Sequence, residues 1–175
     1  MGTVESISKI LSQSASGNLK TRDLFLKRAG EGLPTRDENP KTHFSVYFLP
    51  YNSVIRKVFM VYHKKSGLWL SPGGHIDKGE TLFEALNREI SEELGVKHFF
   101  SEEPAPFFLS ITQIENKTQT CKTHYDFWYL FPTDGSGFNI DMVEFHDTKW
   151  LSISEARKIV TDESNLRAFD MVEKL

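Results

Sequence analysis

Apolar residues recur at helical spacing near the start of the chain and again at its centre, and cluster as strands elsewhere. Val4, Ile7, Ile10 and Leu11 predict a short amphipathic helix over residues 4–11. Residues 12–18 are small and polar and predict a break. Leu24 and Phe25, ahead of Gly30, predict a second helix over 21–29. The stretch 30–40, rich in Gly, Pro and charge, predicts a loop. Residues 1–40 are thus expected to form a helical N-terminal extension packed on a main domain of residues 41–175.

From residue 42 the pattern changes. Aromatic and β-branched residues at 43–49 and 54–63 predict two strands about a turn at Pro50-Tyr51-Asn52-Ser53, and Lys64 to Gly67 predicts a second turn. Residues 107–114 and 120–131 predict two further strands joined around Asn116-Lys117. Asp134 to Gly137 reads as a loop, and Lys149-Trp150-Leu151 as a short strand. Ser152 with Glu155 is a capping box opening a helix, and residues 165–174 predict a terminal helix. Strands enclosing one central helix, with more helices at the end, imply an α+β domain or αβα sandwich.

Composition narrows the class. At 175 residues, 39% hydrophobic and 13% aromatic, the chain is long and apolar enough for one folded domain. A net charge of −3 lacks the basic excess of a dedicated nucleic-acid binder, so no nucleic-acid polymer is expected as a partner. Cys121 is the only cysteine, which excludes an internal disulfide and any CxxC motif. It has no visible activating partner and is expected to be inert. No apolar run approaches a membrane span and no secretory pattern opens the chain, so a cytoplasmic setting without membrane contact is expected.

The chemistry concentrates between Trp69 and Val96. Thr81 with Glu84 forms a capping box, and Gly95 is placed to end the helix they open. Projected at about 100° per residue from Leu82, the residues Leu82, Phe83, Leu86, Ile90 and Leu94 fall between roughly 0° and 120°. Glu93 falls near 20°, Glu89 near 340° and Glu92 near 280° on the same projection. Two glutamates therefore overlap the edge of the buried stripe. Carboxylates so placed repel one another and resist burial unless a cation sits among them, and Arg88 alone is adjacent. Carboxylates at i, i+3 and i+4 suit a hard divalent cation. Upstream, Pro72-Gly73-Gly74-His75 supplies paired glycines that let backbone approach a ligand closely.

Gly74, Glu80 and the run Arg88-Glu89-Ile90-x-Glu92-Glu93-x-Gly95-Val96 resemble the Nudix box at every defined position. The resemblance implies an αβα sandwich with a mixed central sheet, and divalent-metal-dependent hydrolysis of a nucleoside diphosphate linked to a further moiety. Mg²⁺ is the implied cofactor, with Mn²⁺ as a substitute. Glu92 and Glu93 would be the principal metal ligands and the Gly73 carbonyl would add an oxygen. Glu89 would be a ligand or the general base, Arg88 would orient Glu89, and Glu80 would support the loop and helix. In related enzymes a further acidic ligand precedes a Trp-containing strand, which points to Glu144, six residues before Trp150, with Asp147 as the second choice.

Other residues bear on the substrate. His124, Asp126 and Trp128 share one face of a strand, which either lines a cleft or faces solvent. Trp69 through Ile76, with His43 and His124-x-Asp126, is similar to a bacterial-type Nudix subgroup. His75, His124, Asp126 and Trp69 are the substrate-binding candidates, with Trp69 able to stack on a base. The markers of the ADP-ribose, dinucleoside polyphosphate, NADH and CoA types are absent. The expected partner is thus a small diphosphate, and the protein a monomer or homodimer. Isoprenoid diphosphate isomerases share the domain but depart from the box and use a catalytic cysteine. A ligand-sensing, non-catalytic Nudix domain is the alternative, although such domains tend to lose the acidic positions kept here.

Overall fold

The computed structural model describes residues 1–13, 17–97, 99–115, 120–140 and 142–174. Helices α1 (Thr3–Gln13) and α2 (Leu19–Gly30) open the chain. Strands β1 (Thr42–Asn52), β2 (Lys57–His63), β3 (Leu68–Leu70) and β4 (Gly73–His75) follow, then the central helix α3 (Leu82–Leu94). Strands β5 (Phe108–Gln113), β6 (Thr123–Pro132) and β7 (Phe145–Ser152) precede a single-turn helix α4 (Ile153–Ala156) and the terminal helix α5 (Glu163–Val172).

All seven strands join one mixed sheet. Parallel pairing of β1 with β6 runs from Thr42↔Thr123 to Tyr51↔Pro132. Antiparallel neighbours complete the sheet: β5 on β6, β4 on Ser45 to Tyr47 of β1, β2 on the end of β1, and β3 and β7 on β2. Alternation along β1 and β6 divides the core. Phe44, Val46, Phe48, Phe127, Tyr129 and Phe131 pack with α1, α2 and α3 in one buried cluster. Leu49, Val58 and Met60 pack on the other side with Phe169 and Val172 of α5. The result is the expected αβα sandwich.

The N-terminal helices reach the central helix directly. Ser6 Oγ accepts from the Leu82 amide at 3.1 Å, and Thr3 donates to the Glu80 carbonyl at 2.6 Å. Arg28, buried at the end of α2, donates to the carbonyls of Gly32, Leu33 and Thr42 and so ties α2 to the start of β1.

Several element limits differ from the sequence expectation. The first hairpin turn lies at residues 53–56 instead of 50–53, because Asn52 Oδ1 accepts from the Val54 and Ile55 amides and starts the turn there. Pro50 stays inside β1, while Val54 and Ile55, expected in a strand, are exposed. Ser12 and Gln13 belong to α1; the rest of the expected break includes residues 14–16, outside the described residues. The Asn116-Lys117 joint also lies outside them. Pairing along all of β2 extends β7 well beyond residues 149–151. Asp162 caps α5 by accepting from the Asn165 amide, so that helix starts and ends two residues earlier than expected.

Candidate active site

Helix α3 is defined at both ends by local chemistry. Thr81 and Glu84 form the reciprocal capping box, and Gly95 ends the helix in the left-handed conformation. Between these stops, Glu89 and Glu93 sit one turn apart on the inward face, 8% and 5% exposed, while Glu92 points outward. Arg88 knits the unit together. Its guanidinium grips both oxygens of Glu80 at 2.7 and 2.9 Å and donates to Glu89 at 2.8 Å, Glu92 at 3.1 Å and the His75 carbonyl at 2.8 Å.

The two glycines of β4 bring backbone against these carboxylates. The Gly73 amide donates to Glu93 Oε2 at 2.7 Å. At Gly74 a Cβ would stand 2.4 Å from Glu89 Oε1, so any side chain there would displace the Glu89 carboxylate.

Charge in this cluster is poorly compensated. Burial pushes Glu89 up to about 7 against the pull of Arg88, with Glu92 and Glu144 adding repulsion. Burial and repulsion from Glu89 raise Glu93 well above the usual carboxylate range, although the Gly73 amide opposes this. Glu80 behaves otherwise: burial works against its charge, but the Arg88 guanidinium and the Asp77 amide hold it below the usual range. Glu92, Glu93, Glu144 and Phe145 line one small hollow. The turn carrying Glu144 is held by Lys64, whose amide donates to the Glu144 carbonyl at 2.9 Å and whose ammonium donates to the carbonyls of Met142 and Val143. Asp147 is instead paired with Lys149 at 3.0 Å and half-exposed. Hard oxygen donors gathered beside buried, under-neutralised carboxylates fit a divalent cation of the Mg²⁺ type.

A cleft of about 920 Å³ adjoins this cluster, with Gly73, Gly74, Glu89, Glu92, Glu93 and Glu144 in its walls. Its floor is a sheet face made by Ser45 and Tyr47 of β1 with His124, Asp126 and Trp128 of β6, where Ser45/Asp126 and Tyr47/Trp128 are cross-strand pairs; His43, the partner of His124, is fully buried behind it. The face carrying His124 and Asp126 is therefore a cleft wall and not the solvent side. Asp126 is buried and accepts from Ser45, Thr112 and, at 3.0 Å, Ser110; burial pushes it up to about 6 against those hydroxyls. Ser110 in turn accepts from the Trp128 indole at 2.9 Å. These hydroxyl partners were missed in the sequence; the alternation of His43, Ser45 and Tyr47 along β1 is the signal that could have found them.

Trp69 does not join the cleft. Leu68 and Leu70 line it, and strand alternation turns Trp69 to the opposite face, between Tyr62 at 5.4 Å and the Lys149 ammonium at 4.7 Å. His75 and His124 do line the cleft, but their rings pack on each other and on His43. Burial lowers His43 and His124 to about 4 and His75 to about 2. Cys121, expected to have no partner, lies with its sulfur 4.0 Å from His75 Nε2.

The glutamate helix, the paired glycines and the split mixed sheet together define a class. The family model for the NUDIX domain matches residues 34–173, and the chain belongs to the Nudix family. Among curated proteins, the Xenopus laevis m7GpppN-mRNA hydrolase NUDT17 is 40% identical over 50 residues, which is 26% of this chain and 17% of that one. Among solved structures, a MutT NUDIX hydrolase from Burkholderia pseudomallei has a TM-score of 0.62 at 17% identity, covering 75% of this chain and 98% of that one. The E. coli dihydroneopterin triphosphate pyrophosphohydrolase has a TM-score of 0.55 at 18% identity, covering 73% and 92%. At these identities the two structures share the fold with this chain. No helix among the described residues is long and apolar enough to cross a membrane.

Proposed function

We propose that the chain is a divalent-metal-dependent pyrophosphohydrolase acting on a nucleoside diphosphate-linked or related small diphosphate. The observation that carries this reading is the pair of buried glutamates, Glu89 and Glu93, whose charge Arg88 balances on one side only. Glu93, Glu92 and Glu144, with the Gly73 carbonyl, would hold Mg²⁺, or Mn²⁺ in its place. When bound, the cation would neutralise the pyrophosphate, stabilise charge in the transition state and lower the pKa of water. Glu89, held by Arg88, serves as a further ligand or takes the proton from the attacking water. Glu80 fixes Arg88 through two charge-assisted hydrogen bonds and so sets the angle at which Glu89 is presented. Asp126 and His124 form the cleft floor on which the substrate rests.

The direct test is phosphate or nucleotide release from a panel of diphosphates, with Mg²⁺ or Mn²⁺ and with chelator. Release of product that stops on chelation supports the reading. Failure on every diphosphate would favour a ligand-sensing domain instead.

Thermal stability provides a second check. In metal-free protein Glu89 titrates near 7, above its unfolded value of 4.5. Between those values the folded state holds more protons than the unfolded one, so stability falls as pH rises through the window. A bound cation replaces those protons. Raising the pH from about 5 to about 8 is expected to lower Tm in chelator and to widen the gain from Mg²⁺ by several degrees. A gain from Mg²⁺ that ignores pH would contradict the placement of the cation at these carboxylates.

A further inference from the structure

The geometry points to a second metal site, separate from the glutamate cluster: His43, His75, His124 and Cys121 form a closed shell for one Zn²⁺-like transition metal ion. One donor atom from each of the four side chains lies within 4.8 Å of all the others. The three imidazole rings stand 4.8 to 5.0 Å apart, centroid to centroid. A tetrahedron built on Zn–N bonds of ~2.0–2.1 Å has edges of roughly 3.4 Å, so the widest-spaced donors need to close by up to about 1.4 Å.

Two of these donors have no other use among the described residues. His43 is fully buried and His124 is 7% exposed, and Nε2 of each is buried without a hydrogen-bond partner. Leaving two such nitrogens unpaired side by side is costly in a buried setting, and a shared metal ion would satisfy both. His43 Nδ1 lies 2.8 Å from the Asn39 carbonyl, which can only accept, so that nitrogen carries the proton and Nε2 offers a lone pair. Metal-ligating histidines are oriented by this kind of hydrogen bond from the far ring nitrogen.

Topology explains why four distant residues meet. His43 and His124 are register partners across the parallel β1–β6 pair, and His75 lies opposite Ser45, two residues along the same face of β1. Cys121 enters from the segment leading into β6, where the Lys122 and Thr123 amides both donate to the Lys41 carbonyl. Three imidazoles and a thiolate are borderline-to-soft donors, which select Zn²⁺ over the Mg²⁺ suited to the glutamates. Four protein ligands leave no open position, so the site is structural. It would fasten β4, the strand that brings Gly73 and Gly74 against Glu93 and Glu89, to the centre of the sheet.

Cobalt substitution tests this on the full chain. Protein stripped of metal is titrated with Co²⁺ in excess Mg²⁺, which occupies the carboxylates. The expected result is one Co²⁺ per chain, with the strong visible absorption of a tetrahedral site and a thiolate-to-cobalt charge-transfer band. Cys121 is the sole cysteine, so that band has one possible source. Near-isosteric Cys121→Ser should abolish the band and weaken Zn²⁺ binding at least tenfold. Glu93→Gln should leave the band unchanged. Absence of the band in the parent protein, or its survival in Cys121→Ser, overturns the proposal. Loss of the band in folded Glu93→Gln would also overturn it, by merging the site with the glutamate cluster.

Discussion

Glu93→Gln is expected to abolish hydrolysis while leaving the chain folded and, without metal, more stable than the parent. Glutamine keeps the shape and an oxygen able to accept from the Gly73 amide, which donates to Glu93 at 2.7 Å. What it removes is a carboxyl group, 5% exposed, whose ionisation is opposed by burial and by Glu89, with Glu144 and Glu92 adding repulsion. Losing an outer partner of a metal ligand already costs 10–100-fold, by about the usual measure, so losing a ligand should lower kcat/KM by more than ~100-fold. In chelator near neutral pH the same change removes the cost of burying an ionisable carboxyl, and Tm should rise by a few degrees. Glu92→Gln provides the contrast, since its side chain is 61% exposed and its charge is already hydrated; its effect on metal-free stability should be close to nil. Steady-state kinetics at saturating Mg²⁺, with melting curves in chelator, measure both halves. A fully active Glu93→Gln protein would remove Glu93 from the metal site.

The central helix was legible because everything that defines it is local. Thr81, Glu84 and Gly95 state its ends, and the projection from Leu82 places Glu89 and Glu93 inward and Glu92 outward, as the structure has them. Phe83, on the same projected stripe, is only half-buried. Strands β3 and β4 were not legible: three residues apiece are too few for alternation to register, and β4 forms through backbone pairing of a Gly-Gly pair with β1. The place of Glu144 depends on Lys64, from a distant hairpin, gripping the turn before β7. The histidine cluster depends on the parallel register between β1 and β6, which no local pattern encodes. Trp69 failed for a simpler reason. A three-residue strand flips each successive side chain, and the two leucines flanking it occupy the cleft face.

The adjacent glycines of β4 should fail in opposite ways when each is replaced by alanine. At Gly73 φ is +142°, and a Cβ would stand 2.3 Å from the Val46 carbonyl oxygen and 2.7 Å from Tyr47 Cα. Both obstacles are backbone of β1 in the middle of the sheet, so nothing nearby can yield cheaply. Backbone strain of ~1–3 kcal/mol and overpacking of similar size together predict a loss of about 3 kcal/mol or more for Gly73→Ala, which lowers Tm by roughly 10 °C. At Gly74 the obstacle is the carboxylate end of Glu89, 2.4 Å from the added carbon, and a side chain can move where a backbone cannot. Gly74→Ala should therefore fold with a much smaller change in Tm but push Glu89 away from Arg88, which now holds it at 2.8 Å. A misplacement of about 1 Å at a catalytic group costs ~10²-fold, so kcat should fall by that order while substrate KM changes little. Melting curves and initial rates on the two variants separate these outcomes: equal stability losses would mean that Glu89 is as rigid as the sheet, and an active Gly74→Ala would mean that its position against the strand does not matter to turnover.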